Sequence, residues 1–245
     1  MLSLLCWGMI PQSVPAHLEP RVRLQKLLSG RRNSGICILG PTASGRVILE
    51  NFRANGKDVD CFVDPLGKFR GESWAGLPVV KLEGQDELPQ LKRRGIREFV
   101  IVSGATSSRK RLFEACVQAG LTPSMLIHPT ATVLQDAKLG AGSVIGARAL
   151  IGVGAEVQEN GLVGMGALLD HDCVIGRHSS IGCGTNIGAE SRVAECSFIG
   201  DGVVVLSGRK IAKGSIIVSG SVVTQDVPED AIAAGAPARL IRRRR

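Results

Sequence analysis

The sequence predicts a small α/β domain followed by a β-solenoid, and two patterns carry that reading. The first is a six-residue aliphatic period. From Ile127 to Val223 every sixth residue is Ile, Leu or Val, 17 positions without an insertion. If such residues fill about a third of an apolar-rich chain, a chosen register does this by chance roughly once in 10^8. Four residues after each aliphatic position the side chain is usually small, as in Ala131, Ser143, Ala155, Cys173 and Ser197, with Arg209 the clear exception. Glycine often follows the aliphatic residue directly (Gly140, Gly146, Gly152, Gly164, Gly176, Gly182), where a corner is expected to need a permissive backbone. No helix has a period of six, so each hexad reads as one short strand and one turn.

The second pattern is the α/β texture that begins at Gly35. Ile36–Leu39 reads as a strand, Gly40-Pro41-Thr42-Ala43-Ser44-Gly45 as a turn and 46–52 as a helix. Strands follow over 59–63, ending in Asp64, and over 98–103, ending at Gly104, with a helix over 107–120. A strand, a Gly loop, a helix and a strand ending in Asp outline a small Rossmann-like nucleotide site. The loop read alone fits a plain βα turn equally well, although its helix N-terminus offers amides to a phosphate. The expected organisation is an extension over 1–34, a Rossmann-like domain over 35–123, a solenoid over 124–228 and a basic C-terminal segment over 229–245.

In 245 residues the charge is +8 and aromatics make up 3%. The charge is confined to the ends. Residues 1–34 carry +4, the run Arg239–Arg245 carries +5, and everything between them carries −1. A nucleic-acid partner is therefore not expected, and single strands also want rings to stack on. The terminal Arg run is expected to be a solvated tail. Seven Cys without a CxxC pattern fit small apolar fillers in a reducing compartment. The apolar opening lacks a positive leader and a clear cleavage site, and no run reaches the ~18 apolar residues of a membrane span, so a cytoplasmic protein is expected.

The solenoid breaks its monotony at Leu169-Asp170-His171-Asp172-Cys173. A His beside Asp can act as a general base, the carboxylate orienting the imidazole and favouring its protonated form. A surface His on a solenoid turn is the bland alternative. A three-His metal site is not expected, because His128, His171 and His178 are not spaced by multiples of the 18 residues that three hexads make. Cys173 falls in the small, inward column and is expected to be core rather than a nucleophile.

An α/β domain, an uninterrupted hexapeptide repeat, the string from Leu169 through His171-Asp172-Cys173 to Ile175-Gly176, and the late Gly235-Ala236-Pro237-Ala238-Arg239 together resemble one family. It is that of the hexapeptide-repeat sugar acetyltransferases, which includes sialic-acid O-acetyltransferases and nucleotide-aminosugar N-acetyltransferases such as those for UDP-4-amino sugars and perosamine. The resemblance covers residues 35–241. It implies a left-handed parallel β-helix, a homotrimer, and acetyl-CoA as co-substrate in a groove between subunits. It also implies His171 as general base, with Asp172 raising its basicity. Ser180 would polarise the thioester, while amides near Gly182, Ser219 and Gly220 would hold the CoA arm, with CoA phosphates the alternative to a solvated state for the Arg239–Arg245 run. Ser44, Gly45 and Arg46, with Asp64, Gly104 and Arg109, would hold the nucleotide-sugar.

Several positions depart from the family pattern. Arg46 stands where His is usual, Pro65 replaces a second acid, and Gly164-Met165 replaces a common Asn-Thr. N-acetylation of a nucleotide-linked amino sugar by direct attack is the expected reaction. O-acetylation of sialic acid or another sugar hydroxyl is its alternative, and a non-catalytic scaffold is the alternative from another class.

Overall fold

The computed structural model describes residues 34–102 and 106–244. Residues 1–33, Gly104 with its two neighbours, and Arg245 lie outside the described residues, so the extension and the Gly104 expectation are not addressed by it.

The α/β part is a six-stranded sheet of β1 (Ile36–Leu39), β2 (Cys61–Asp64), β3 (Ser73–Trp74), β4 (Leu77–Lys81), β5 (Glu98–Ile101) and β6 (Thr122–Pro123). Its order is β3-β4-β2-β1-β5-β6, and every pairing is parallel except β3 with β4. The chain winds one way from β1 to β2 and the other way to β5, so β1 and β5 flank a topological switch point, the usual place for a ligand in an open α/β sheet. Helix α1 (Ala43–Ala54) starts three residues before the sequence pattern suggested, because the Thr42 hydroxyl caps it, accepting from the Gly45 amide at 3.1 Å. Two more helices follow, α2 (Pro89–Arg93) and α3 (Thr106–Gln118). The β3–β4 hairpin was not expected, since Pro78 inside a five-residue run argues against a strand.

The solenoid carries three parallel sheets, one per face of a triangular coil. Each of the 17 aliphatic positions is the second residue of a two-residue strand. Fourteen of them, from Ile145 onward, are buried in one continuous core. Ile127 and Leu139 are only partly buried and Val133 is 38% exposed, because no coil lies beneath the first one. The small column also faces inward. Its hydroxyls form a ladder between coils, Ser179 Oγ donating to Ala194 O at 2.9 Å, Thr185 Oγ1 to Gly200 O at 2.7 Å and Ser191 Oγ to Leu206 O at 3.0 Å. These three buried hydroxyls are thus satisfied rather than left at a desolvation cost, whereas Ser143 Oγ near the start of the column is buried without a partner.

The corner chemistry differs from the expectation. Glycines that directly follow the aliphatic residue do not adopt positive φ. They are needed for close approach: a Cβ on Gly146 would sit 2.8 Å from the Met165 amide of the next coil, and one on Gly164 2.7 Å from that of Cys183. Positive φ belongs to the residue two places later, at every sixth position from Asp136 to Gly220. That column includes Asp172 (φ +56°) and His178 (φ +60°).

The Arg run is likewise not a free tail. Ala231–Gly235 and Ala238–Arg243 form an antiparallel hairpin that extends the first solenoid sheet, with Ala238–Arg243 at its edge. Alternating small residues on the inner strand (Ala231, Ala233) pack into the end of the core and anchor it there.

Candidate active site

Helix α1 lies against the first solenoid sheet, and Asn55 Nδ2 donates to Ile127 O at 3.0 Å. Between its N-terminal half and that sheet is a cavity of about 730 Å³. Among the expected site residues Ser44, Ser180 and Gly182 line it, together with Gly164 and Met165. The outward column of this sheet reads Leu126, Val144, Leu162, Ser180, Phe198, Ile216, so Ser180 is a single hydroxyl in an apolar wall.

Gly45 is buried beneath this wall. A Cβ there would collide with Gly40 O and lie 2.9 Å from Phe62 Cε1, so glycine is what lets α1 approach β1 and β2. Arg46 is exposed on α1 and does not line the cavity. Asp64 is buried and committed to local structure, its carboxylate accepting from the amides of Leu66 at 3.2 Å and Phe69 at 2.6 Å.

Arg109 differs most from the expectation of an open substrate ligand. Its guanidinium is 1% exposed; Nη1 donates to Ser180 Oγ at 3.2 Å, and Nη2 to Asn160 O and to Asn160 Oδ1 at 3.1 Å. It therefore clasps α3 to the solenoid, and burial draws its pKa down to about 10. Asn160 continues the network to His178, Nδ2 to Nδ1 at 3.0 Å. The sequence reading missed Asn160. Its signal was that Asn tolerates the left-handed corner position it occupies, at φ +53°.

Ser219 and Gly220 are exposed at the corner that follows the first sheet. They already serve the coils, Ser219 Oγ accepting from the Asp201 amide at 3.1 Å and the Gly220 amide donating to Asp201 O at 2.8 Å. Gly182's amide likewise donates to Ile199 O at 2.8 Å.

His171 and Asp172 sit at another corner, between the second and third sheets, and do not line the cavity. The left-handed turn at Asp172 folds its carboxylate back onto the ring, with Oδ2 at 2.9 Å from Nδ1. Asp170 Oδ1 accepts from the His171 amide at 2.7 Å. The hydrogen bond to Asp172 raises the imidazole pKa; desolvation, the next largest cause, opposes it, and the nearby charges of Asp170, Asp172 and Glu190 add to the rise. With Nδ1–H donated to a carboxylate, Nε2 is left as the accepting nitrogen. Cys173 next door is fully buried in the core, and burial pushes its thiol up to about 12, so a thiolate nucleophile is not on offer. Among the described residues no group of three or more His, Cys, Asp or Glu is placed to hold a metal ion.

Solved structures with this architecture extend over most of the chain. PerB from Caulobacter crescentus, in complex with CoA and GDP-perosamine, is 29% identical over 84% of this chain and 96% of its own, with a TM-score of 0.78. The acetyltransferase domain of PglB from Neisseria gonorrhoeae, in complex with acetyl coenzyme A, is 27% identical over 84% and 98%, with a TM-score of 0.77. Its structural relatives are hexapeptide-repeat sugar acetyltransferases. WeeI from Acinetobacter baumannii, at 20% identity and a TM-score of 0.73, shares this family's fold. The family profile of the GMPPB C-terminal domain matches residues 121–233, the solenoid with its lead-in. No curated protein sequence matches the chain. The left-handed β-helix with an N-terminal α/β region is the fold of these acetyltransferases.

Proposed function

We propose that the protein transfers the acetyl group of acetyl-CoA to the amino group of a nucleotide-linked amino sugar, with His171 as general base. The carrying observation is the His171–Asp172 pair, an exposed imidazole with Nδ1 tied and Nε2 free on the fold of CoA-dependent sugar acetyltransferases. Nε2 takes the proton as the amine nitrogen attacks the thioester carbonyl. The tetrahedral oxyanion then collapses, the C–S bond breaks, and the imidazolium returns the proton to the CoA thiolate. A thioester is already activated, so positioning and one base suffice. Ser44 and the α1 N-terminus face the nucleotide-sugar, while Ser180 and the corner at Gly182, Ser219 and Gly220 face the CoA side.

The working form in this proposal is a homotrimer. His171 and the cavity lie on different faces of one solenoid, and the second sheet presents exposed Leu168 at 39% with corner residues Val153 and Leu206 at 47% each. A second copy covering that apolar face would bring its own cavity to the His171 corner. No helix among the described residues is long and apolar enough to cross a membrane. Free buried thiols and acetyl-CoA dependence support a cytoplasmic enzyme. The test is thiol release from acetyl-CoA against a panel of amino- and hydroxy-sugar nucleotides. Release with an amino-sugar nucleotide is the expected result, release only with hydroxy-sugars would move the reaction to O-acetylation, and silence throughout would sink the proposal.

A further inference from the structure

We propose that the edge strand Ala238–Arg243 is a docking surface for an anionic lipid bilayer. Three observations meet there. First, the strand is an outer edge of the first solenoid sheet, paired on one side only. Second, one of the chain's two concentrations of positive charge lies in it and the two residues that follow. Residues 239–245 hold five Arg and no acid, against a net −1 for residues 35–238. Arg239, Arg242 and Arg243 are exposed and make no ion pair among the described residues. Arg244 is the anchor, Nη1 donating to Gly214 O at 2.7 Å. Third, Leu240 and Ile241 are 53% and 62% exposed. In a regular strand two successive side chains point to opposite faces. Here the register slips opposite Ile232 and Ala233, so that Ala233 pairs with Leu240 and Ile232 with Arg242, leaving Ile241 as an extra residue. A bulge of this kind re-aims side chains. The result is a pair of open aliphatic side chains bracketed by guanidinium groups.

Protection of an edge against strand addition needs the charges but not the exposed aliphatics. A second copy of the strand would set Arg against Arg. A phosphate or a nucleic acid has no use for Leu240 and Ile241. A bilayer with anionic headgroups satisfies both, the guanidinium groups meeting phosphates while the aliphatic pair enters the interface.

The test is cosedimentation of the full chain with phosphatidylcholine vesicles containing about one-third phosphatidylglycerol, against pure phosphatidylcholine. Binding to the anionic vesicles is expected at roughly 0.1 M salt and is expected to be lost near 1 M, where screening shortens to about 3 Å. Changing Arg239→Gln, Arg242→Gln and Arg243→Gln together is expected to weaken binding about 100-fold, at a factor of about five per charge. Leu240→Ser with Ile241→Ser is expected to weaken it about tenfold with the charges intact. Absence of binding to anionic vesicles would overturn the proposal, as would unchanged binding by either variant, which would place the contact elsewhere. Equal binding to a DNA duplex with the same salt dependence would reassign the surface to polyanions in general. Should a variant fail to fold, the lipid and salt dependence of the unaltered chain still decides.

Discussion

Two histidines seven residues apart stand in opposite environments, and the contrast separates chemistry from architecture in this solenoid. His171 lies one place before a left-handed corner residue, and His178 is itself one. His171 projects outward with its side chain 53% exposed and a carboxylate on Nδ1, which raises its pKa. His178 is 1% exposed, holds Asn160 through Nδ1 and lies edge-on to Phe113, with ring centroids 5.5 Å apart. Burial, then the Arg177 charge, lowers its pKa. One corner keeps a base accessible, while the other keeps a neutral ring as part of the joint with α3. Hexad position does not decide which, since Asp172 shares the left-handed place with His178 and is exposed; the packing of Phe113 and Arg109 from α3 over the His178 corner does.

The sharpest way to break this contrast is removal of the base. His171→Ala is expected to cut kcat/KM with acetyl-CoA and acceptor by roughly 10^2–10^4, the span for general-base catalysis. Its melting temperature should stay that of the unaltered chain, because an exposed side chain whose partner is an exposed carboxylate adds little to stability. A residual rate near that of the parent chain would make His171 a bystander and leave both histidines structural.

The second test attacks the other corner. Arg109→Met removes the donor shared by Ser180 Oγ, Asn160 O and Asn160 Oδ1, all in a buried joint. Leaving those acceptors unpaired is expected to destabilise the fold by about 2–3 kcal/mol, read as a lowered denaturation midpoint. If Arg109 instead held substrate directly, stability would be unchanged and KM alone would rise.

Much of this is legible in the sequence alone. The six-residue period set the solenoid, because a repeat buries the same face in every hexad and the aliphatic column has no exception over 17 positions. The inward placement of Cys173 follows from the same register. What the sequence hid was relative placement. Arg109 and Ser180 are 71 residues apart, and no local pattern shows that a helix folds a guanidinium into a solenoid wall. Asp64, at the end of a strand, reads as a nucleotide-sugar ligand, yet its carboxylate accepts from the amides of Leu66 and Phe69 in the turn that follows. Terminal arginines read as a solvated run because charge patterns carry no information about the Ala231 and Ala233 anchors that draw the strand into the sheet.

The smallest effect expected is the most direct measure of the contrast, the titration of the two imidazoles followed by NMR. His171 should titrate above the ordinary value of about 6.5 and His178 below it. The signs then oppose in stability as well. A buried His with a lowered folded pKa refuses a proton that the unfolded chain accepts, so His178 costs stability as pH falls below about 6.5. His171 does the reverse, favouring the folded state below the unfolded value and losing that contribution as pH rises through its raised folded value. Asp172→Asn removes the largest cause of the rise, so the His171 titration should move back toward 6.5 while that of His178 stays in place. The base must be unprotonated to accept the amine proton, so the acid limb of kcat/KM should shift to lower pH in the same variant. Its plateau should fall as well, since the amide no longer fixes the tautomer that leaves Nε2 free. A shift of both histidines together would mean that the two corners share one electrostatic environment and that the geometric contrast has no chemical consequence.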